Sequence, residues 1–553
     1  MSDTLAGLLQ VALLLVLLGA CYVPLGDYMA RVFTAERHWR GEAVLYRLVR
    51  VDPSSGQRWP TYAAGVLGFS FASIVLLYLL QRLQAVLPAS FGRGPVSPAV
   101  AFNTAVSFVT NTNWQSYVPE STMGNTVQMA GLTVQNILSA AVGLAVAVAL
   151  IRGFVRSGTD RLGNFWVDLT RGVVRILLPF AFVAAVLLLI MGVTMSLRSG
   201  VDVTGVDGAT HTLPLAPTAS QEAVKELGTN GGGIFNANSA HPFESPNALS
   251  NLFEIFLLLV IPVCLTRTFG TMVGNRRQGT VLLSVMGALW TAMLAVAWFA
   301  ETHPNGVATL AAGGALEGKE VRFGIPAGVL FGVSTTGTST GAVNSMHDSF
   351  TGAGGGAFLL NMLFGEVAPG GVGTGLYGIL LLSIIAVFLA GLMVGRTPEY
   401  LGKKLGRREV TAAAVSILAM PVLVLVGAGL AIALPGTVGA LNNDGAHGFS
   451  EVLYAFASAA NNNGSAFAGI TVTSDFFQSA LGLAMLFGRF VPILAVLALA
   501  GSLARQRRVE ATAGTLATDR PLFGVLVAGT VVLVAALTFF PALALGPLAE
   551  ALA

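Results

Sequence analysis

Charged residues are scarce in this sequence. Lys, Arg, Asp and Glu make up only 10% of the 553 residues, whereas 54% are hydrophobic. A soluble protein usually carries about 25% charged residues, so too few are present to cover a soluble globule of this size. The same figures exclude a disordered chain, which would be poor in aliphatic residues and rich in charge. The sequence therefore predicts a polytopic protein of the lipid bilayer.

A strong net charge and cysteine are also missing. A net charge of +3 over 553 residues leaves no concentrated basic surface, which argues against nucleic acid as a partner. The two cysteines, Cys21 and Cys264, lie in apolar stretches with no metal-ligand spacing around them. We expect both to be small core residues.

Ten apolar runs are long enough to cross a bilayer, which takes about 20 residues. They cover 5–26, 62–88, 125–151, 172–197, 247–270, 281–299, 376–395, 411–434, 474–500 and 521–546. The first run follows no basic leader and precedes no small-residue cleavage site, so we expect a retained span and not a removed signal peptide.

The basic residues predict the orientation of these spans. The first, third, fifth, seventh and ninth connecting segments hold 23 of the 30 Lys and Arg residues, the alternate loops hold six, and Arg489 lies inside a run. Basic loops stay in the cytoplasm. Both termini are therefore expected on the extracytoplasmic side.

Four short polar segments lie in the loops that are poor in basic residues. They read Phe-Val-Thr-Asn-Thr-Asn at 108–113, Leu-Gly-Thr-Asn-Gly at 227–231, Ser-Thr-Thr-Gly-Thr-Ser-Thr-Gly at 334–341 and Ser-Ala-Ala-Asn-Asn-Asn-Gly at 458–464. When their ends are aligned, Asn113, Gly231, Gly341 and Gly464 share one position, at separations of 118, 110 and 123 residues. One such cluster is typical of an ordinary turn, but four at near-equal spacing on one side predict a fourfold repeat.

Each repeat is expected to consist of a helix, a polar loop and a second helix. The expected boundaries are 1–58 for an extra helix and a basic loop, 59–160, 161–278, 279–409 and 410–508 for the repeats, and 509–553 for an extra helix. The predicted fold class is thus an all-α polytopic membrane protein, with ten transmembrane helices and four pseudo-symmetric units around one axis.

Non-helical backbone at membrane depth must be buried in protein or face a watery or ion-filled cavity. Four copies can close a ring in which backbone carbonyls replace the hydration shell of a monovalent cation such as K⁺. Carbonyls that point at one axis need residues that tolerate positive φ, which Gly supplies freely and Asn better than most. The sequence therefore predicts a selectivity filter built from backbone oxygens.

Longer strings around these segments resemble the KdpA family, the potassium-binding subunits of bacterial Kdp potassium-transporting ATPases. They are Asn-Thr-Asn-Trp-Gln-Ser-Tyr at 111–117, Gly-Thr-Asn-Gly-Gly-Gly at 228–233, Asn-Ala-Asn-Ser-Ala-His-Pro-Phe-Glu at 236–244, Met-His-Asp-Ser at 346–349 and Ala-Ala-Asn-Asn-Asn-Gly-Ser-Ala-Phe-Ala-Gly at 459–469. The resemblance covers essentially the whole chain. It implies the fold of the superfamily of K⁺ transporters.

The resemblance also implies a function and partners. The chain would take K⁺ from outside and pass it to KdpB, a P-type ATPase subunit of the bacterial inner membrane, with KdpC and a small single-span subunit completing the complex. The chain itself would hold no cofactor, because ATP and Mg²⁺ would be used by the partner subunit. An Asp-Lys-Thr-Gly-Thr phosphorylation sequence is absent, and two glycine-rich matches to nucleotide-binding motifs lack the Ser/Thr or the preceding strand that those motifs require.

By position, the resemblance assigns filter roles to residues of all four polar segments. They are Asn111, Thr112, Asn113, Gln115, Thr229, Asn230, Gly231, Ser339, Thr340, Gly341, Asn462, Asn463 and Gly464. Gln115 matches a family glutamine whose side chain contacts the ion. Thr340 stands where another member of the family has cysteine, a change that should matter little if this position contributes only backbone carbonyls.

Arg489 places a positive charge inside the ninth apolar run, where burial is costly unless the side chain faces a cavity or a partner. Two interpretations remain open. Arg489 is either part of a structural ion pair, or a cationic plug below the filter that stops leak and diverts the ion sideways.

Ten glycines lie between Gly352 and Gly378, and each costs about 1 kcal/mol relative to Ala within a helix. We therefore predict a broken helix after the third polar segment, with pieces at 358–364 and 376–392. The break is either a gate or tunnel wall, with Gly371, Gly373 and Glu366 as candidates, or a loop that only packs against a partner.

Two alternative functions remain. A stand-alone transporter of the Trk or Ktr type would share the repeat, but the extra spans and the KdpA-like strings argue against it. An intramembrane enzyme that uses Glu254, His347 or Asp348 lacks a paired nucleophile and base. For His347 and Asp348 we favour a structural role in holding the loop.

Overall fold

The computed structural model describes residues 3–303, 315–395, 398–510 and 514–552, except for the side chain of Val394. Within these ranges, ten helices are long and apolar enough to span a membrane, which confirms the predicted number. They are Asp3–Thr34, Trp59–Arg82, Val127–Val155, Phe165–Ile190, Ala248–Met272, Arg276–Thr302, Thr374–Val394, Arg407–Ala433, Asp475–Arg505 and Pro521–Leu545. The all-α fold class is therefore confirmed.

Four shorter helices lie between the two spans of each predicted unit, and we call them the re-entrant helices. They are Pro98–Val109, Thr218–Leu227, Gly324–Gly337 and Gly445–Asn461. Each ends within or directly before one of the polar segments. The repeat boundaries themselves remain predictions. Residues 304–314 and 396–397 of the third unit, and 1–2, 511–513 and 553 of the two outer segments, lie outside the described residues.

The fourth span begins earlier than predicted, at Phe165 instead of 172. The Asn164 side chain accepts a hydrogen bond from the Trp166 amide and caps the helix. Asp168, which the predicted boundary places in a loop, belongs to the helix and is buried in an ion pair with Arg152. The hydrophobic pattern was therefore a poor guide to this boundary.

The second helix of the third unit is broken, as predicted. It forms the pieces Gly352–Leu363 and Thr374–Val394, and we call residues 364–373 between them the break segment. The corresponding helices of the other three units, Val127–Val155, Ala248–Met272 and Asp475–Arg505, are continuous. The break is thus specific to one unit.

The remaining elements are short. Helical turns cover Arg40–Leu48, Gln84–Val86, Pro119–Thr122, Asn238–Ala240, His347–Ser349, Pro435–Val438 and Pro547–Leu552. Three antiparallel strand pairs join Gln57–Arg58 with Arg161–Gly163, Gly200–Thr204 with Thr210–Pro214, and Glu399–Tyr400 with Lys403–Lys404. In the second pair, Gly200 faces Pro214 and Thr204 faces Thr210.

The third span lies at the centre of the molecule and the first at its edge. Of the most apolar 18 residues of each span, 83% are buried in the third and 11% in the first. The first span packs on the fifth, where Arg267 binds Asp27 at 2.9 Å. Cys264 is buried at this contact as predicted, whereas Cys21 is only partly buried.

A buried ion pair joins the second, third and fourth spans. Arg152 Nη2 donates to Asp168 Oδ1 at 2.8 Å, and the Tyr62 hydroxyl donates to Asp168 Oδ2 at 3.0 Å. The Asp168 side chain is 1% exposed. Removal of one partner from such a pair leaves an uncompensated buried charge.

We expect Asp168→Asn to lower the free energy of unfolding by about 3 to 5 kcal/mol, because Arg152 then lacks its counter-charge. Unfolding in detergent micelles measures the loss. Asp160→Asn is the matched control, since Asp160 binds Arg58 at 2.7 Å at the surface, and its cost should stay below about 1 kcal/mol. Equal costs for the two variants would contradict the prediction.

Candidate functional site

The four polar segments meet in a closed ring. Hydrogen bonds connect each segment to the next in chain order, and the fourth connects back to the first. The Asn111 side chain donates to the Thr229 carbonyl oxygen at 2.7 Å, the Gly341 amide to the Asn230 carbonyl oxygen at 3.2 Å, the Asn463 side chain to the Thr335 carbonyl oxygen at 3.0 Å, and the Asn462 side chain to the Thr112 hydroxyl at 3.0 Å. Segments up to 350 residues apart are thus brought together as the repeat predicts.

The ends of the four re-entrant helices surround this ring. Each helix runs directly into its polar segment, so its last carbonyl groups lie beside the ring. The C-terminus of a helix carries about half a negative elementary charge. Four such ends create a local potential that favours a cation.

The ring backbone adopts a strained conformation that recurs in all four segments. The dihedral φ is 67° at Asn111, 49° at Thr229, 52° at Ser339 and 60° at Asn462, which are aligned positions. Two residues later, φ is again positive at Asn113, Gly231 and Gly464. Gly and Asn tolerate this region best and occupy five of these seven positions, whereas Thr229 and Ser339 adopt it with less tolerant side chains.

Four aligned carbonyl oxygens in the ring have no hydrogen-bond donor within the described part of the chain. Among the described residues, no hydrogen bond reaches the carbonyl oxygens of Asn113, Gly231, Gly341 and Gly464. Asn113, Gly231 and Gly341 are buried and Gly464 is partly buried. Buried carbonyl groups are nearly always paired, so these oxygens suit water or a cation in the space that they face.

Glycine is required where neighbouring segments touch. A β-carbon on Gly231 would collide with the backbone of Gly341, and one on Gly464 would collide with the Thr112 carbonyl oxygen. Both contacts lie between consecutive segments of the ring. A side chain at either position would force the segments apart.

The ring separates two cavities. The larger cavity, about 430 Å³, is lined by Asn113, Gly341 and Gly464 together with Gln115. The smaller cavity, about 120 Å³, is lined by Ser339, Asn462 and Glu366. Ser339 and Asn462 precede Gly341 and Gly464 by two residues in their segments. The segments therefore run from one cavity to the other, and an ion at the ring could exchange with both.

Gln115 and Thr340 are hydrogen-bonded within the ring structure. The Gln115 amide donates to the Gly233 carbonyl oxygen at 3.0 Å and accepts from the Gly233 amide at 2.9 Å, so it bridges the first and second segments. The Thr340 hydroxyl shares a hydrogen bond with Thr338 at 2.9 Å, as Thr112 does with Thr110 at 2.8 Å. Direct contact of Gln115 with an ion remains a prediction.

The break segment lies against the ring on the side of the smaller cavity. Glu366 accepts from the Asn463 side chain at 2.8 Å, and the Val372 amide donates to the Thr229 hydroxyl at 2.9 Å. A β-carbon on Gly371 would lie 3.0 Å from the Thr338 carbonyl oxygen, and one on Gly373 would collide with the Gly143 carbonyl oxygen. These contacts involve all four units.

Arg489 lies next to the same segment. Its guanidinium donates to the Ser139 carbonyl oxygen at 3.4 Å and is 3% exposed. Among the described residues, no carboxylate lies within 4.0 Å of it, so the structural ion pair is not found. The role of Arg489 as a plug stays a prediction.

His347 holds the fourth segment, as expected for a structural role. Its Nδ1 shares a hydrogen bond of 2.8 Å with the Tyr454 hydroxyl, which shares another of 2.8 Å with the Ser465 hydroxyl. The Ser465 amide donates to the Asn463 side chain at 3.0 Å. Burial, together with Lys319, lowers the pKa of His347 to about 3, so the imidazole is neutral.

A buried charged group behind the second segment was not predicted. Lys225 binds Glu244 at 2.6 Å and Glu222 at 2.7 Å, and Asn238 links it to the Gly232 carbonyl oxygen. Burial raises the pKa of Glu226 to about 7, against the effect of Lys225. The sequence signal was the spacing of three charges at 222, 225 and 226 on one face of a buried helix.

The three residues of the enzyme alternative do not converge. Glu254 lies with Glu222 and Glu226, whereas His347 contacts Tyr454 and Asp348 binds His447. No shared cleft unites them in the described part of the chain. The structure therefore gives this alternative no support.

Comparisons with known proteins agree on one family. The family model KdpA, described as potassium-transporting ATPase A subunit, matches residues 12–552. A "potassium-transporting ATPase potassium-binding subunit" of Rhodococcus erythropolis is 66% identical to this chain, and a protein of the same name from Streptomyces coelicolor is 59% identical. Both matches cover 100% of this chain and 100% of the relative. The solved potassium transporter TrkH of Vibrio parahaemolyticus is similar in fold, with a TM-score of 0.51 and 15% identity over 86% of this chain and 96% of its own.

We expect Tyr454→Phe to lower the free energy of unfolding by about 1 to 3 kcal/mol, because the buried groups of His347 and Ser465 lose their shared partner. Thermal or denaturant unfolding in detergent measures the change. Tyr46→Phe is the control, since Tyr46 is 2% exposed and its hydroxyl has no hydrogen-bond partner among the described residues. A loss as large for Tyr46→Phe would contradict the assignment.

Proposed function

The chain belongs to the KdpA family of potassium-transporting ATPase A subunits, and from this premise we propose that it selects K⁺ and translocates it for an ATP-driven uptake pump. The observation that carries the proposal is the ring of aligned carbonyl oxygens at Asn113, Gly231, Gly341 and Gly464. Such oxygens can replace the water around a dehydrated K⁺ ion. Filter positions are proposed for all thirteen residues named from the resemblance.

We propose that K⁺ enters the ring from the larger cavity. The negative ends of the four re-entrant helices attract the ion, and the rigid hydrogen-bonded ring sets the spacing of its oxygens. This direction corresponds to uptake if the larger cavity faces outside. The excess of basic residues in the first, third, fifth, seventh and ninth connecting segments supports that orientation, with both termini outside the bacterial inner membrane.

Below the ring, the ion is proposed to turn sideways. The break segment and Arg489 close the direct path, whereas the smaller cavity extends from Ser339 and Asn462 past Glu366 to Val531 and Phe539 of the tenth span. That span lies at the side of the molecule, where a partner could receive the ion. Gly371 and Gly373 then let the break segment pack closely against its neighbours.

The partner subunits supply the energy in this proposal. KdpB would bind ATP and Mg²⁺, with KdpC and a small single-span subunit completing the complex, and this chain would hydrolyse no ATP. The names of the relatives, which describe one subunit of an ATPase, support this division. A stand-alone Trk or Ktr type transporter is disfavoured, because the likeness to TrkH extends to the fold alone, at 15% identity.

For Gly464→Ala, we expect the apparent affinity for K⁺ to fall at least about tenfold, which corresponds to 1.4 kcal/mol, because the added β-carbon collides with the Thr112 carbonyl oxygen. K⁺-stimulated ATP hydrolysis by the assembled complex measures it. Gly445→Ala is the control, because Gly445 also has positive φ, 66°, but open space around it. It should keep the original affinity. Equal affinities for the two variants would count against the filter.

For Arg489→Met, we expect ATP-independent K⁺ flux through the complex in liposomes to rise at least about tenfold, because loss of a buried cation removes a barrier of several kcal/mol. A K⁺-sensitive dye reports the flux. Arg505→Met, at the exposed end of the same helix, is the control. A destabilised protein with unchanged passive flux would reduce Arg489 to a structural role.

A further inference from the structure

A group of metal-ligating side chains lies outside the ring, where three segments meet. It contains His447 in the first turn of the fourth re-entrant helix, Glu451 one turn later, Asp348 in the turn after the third polar segment, and Glu550 in the last helix, Pro547–Leu552. None of these residues is part of the proposed filter or the ion route. The group therefore calls for a separate explanation.

The geometry of the group suits a cation. One ligand atom each of Asp348, His447 and Glu451 lies within 4.8 Å of the other two. His447 Nε2 is 3.0 Å from Asp348 Oδ1 and 3.9 Å from Glu451 Oε1. A metal ion placed among three such atoms can reach all of them at ordinary coordination distances of about 2.0 to 2.2 Å after small side-chain movements.

A second observation comes from Glu451 itself. Its side chain is 1% exposed, and Oε2 has no hydrogen-bond partner among the described residues, whereas Oε1 accepts from Asn443 at 2.6 Å. A buried carboxylate oxygen without a donor is costly. Coordination to a cation would satisfy it.

The orientation of His447 agrees with metal binding. Its Nδ1 faces Glu550 Oε1 at 2.8 Å, which leaves Nε2 directed toward Asp348. In metal sites, a ligating histidine commonly donates its other N–H to a carboxylate, which fixes the tautomer and the ring orientation. Glu550 is placed to do this.

We propose that Asp348, His447 and Glu451 form a binding site for a divalent cation of the zinc class, with Glu550 as a positioning residue. One imidazole nitrogen and two carboxylate oxygens match the ligands that Zn²⁺ takes, with a fourth position left for water. Ca²⁺ is disfavoured, because it takes six to eight oxygen ligands. His447 and Asp348 are 23% and 19% exposed, so an ion can enter from solvent.

The bound ion would connect three parts of the chain. It would join the fourth re-entrant helix to the turn that carries Asp348 and, through Glu550, to the last helix. In the absence of metal, a protonated His447 can bind the same carboxylates, so metal and proton compete for Nε2. The site is independent of the proposed K⁺ route.

The test is a titration of the full-length chain, purified in detergent and freed of metal by EDTA, with ZnCl₂ at pH 7.5. Titration calorimetry in two buffers of different ionisation enthalpy should show one equivalent of Zn²⁺ bound and about one proton released. Thermal unfolding of the same sample should show that Zn²⁺ raises the Tm. His447→Gln and Glu451→Gln should each weaken binding at least about tenfold, and Glu550→Gln should weaken it about 10-fold to 100-fold.

The control is His211→Gln, which removes an exposed histidine 3.5 Å from Asp207 and should leave Zn²⁺ binding unchanged. If His447→Gln fails to fold, Co²⁺ is added to the original chain and to Glu451→Gln, and their visible spectra are compared. A tetrahedral Co²⁺ spectrum in the original chain that is lost in Glu451→Gln supports the site. Weak binding of several equivalents, or binding that both ligand variants retain, would show an adventitious ion only and overturn the proposal.

Discussion

Backbone polar groups at membrane depth must find partners inside the protein or face a polar cavity, and the rest of this structure depends on how that constraint is met. The four polar segments interrupt helices, so their amide and carbonyl groups cannot be paired within a helix. Side chains and one amide are paired across the ring, while one aligned set of carbonyl oxygens has no donor among the described residues. Three of the four residues that carry these oxygens line the larger cavity, Asn113, Gly341 and Gly464.

The surroundings of the ring hold it rigid. Asn side chains connect neighbouring segments, the Lys225 group anchors the second segment, and the chain from His347 through Tyr454 to Ser465 anchors the fourth. Buried charges and amides of this kind are costly unless they are paired. Their pairing makes the position of each segment depend on residues far away in the sequence.

The number of spans, the alignment of the four segments and the broken helix could be predicted from the sequence, because each leaves a local signal in hydrophobicity, spacing or glycine content. The early start of the fourth span could not, since Asp168 in its added first turns is buried only because Arg152 of the preceding span supplies the counter-charge. Likewise, the bond between Asn463 and Thr335 depends on packing that no periodicity encodes. The sequence also identified the candidate filter positions, but the two cavities that the ring separates emerged only from the fold.

The interruption at 364–373 occurs in one unit, while its three counterparts are continuous helices. A homotetramer of identical chains would carry any such interruption four times, and its four flanks would be the same. Fusion of four unequal units into a single polypeptide permits one lateral outlet. It thereby allows a one-to-one stoichiometry between this protein and whatever docks at that flank.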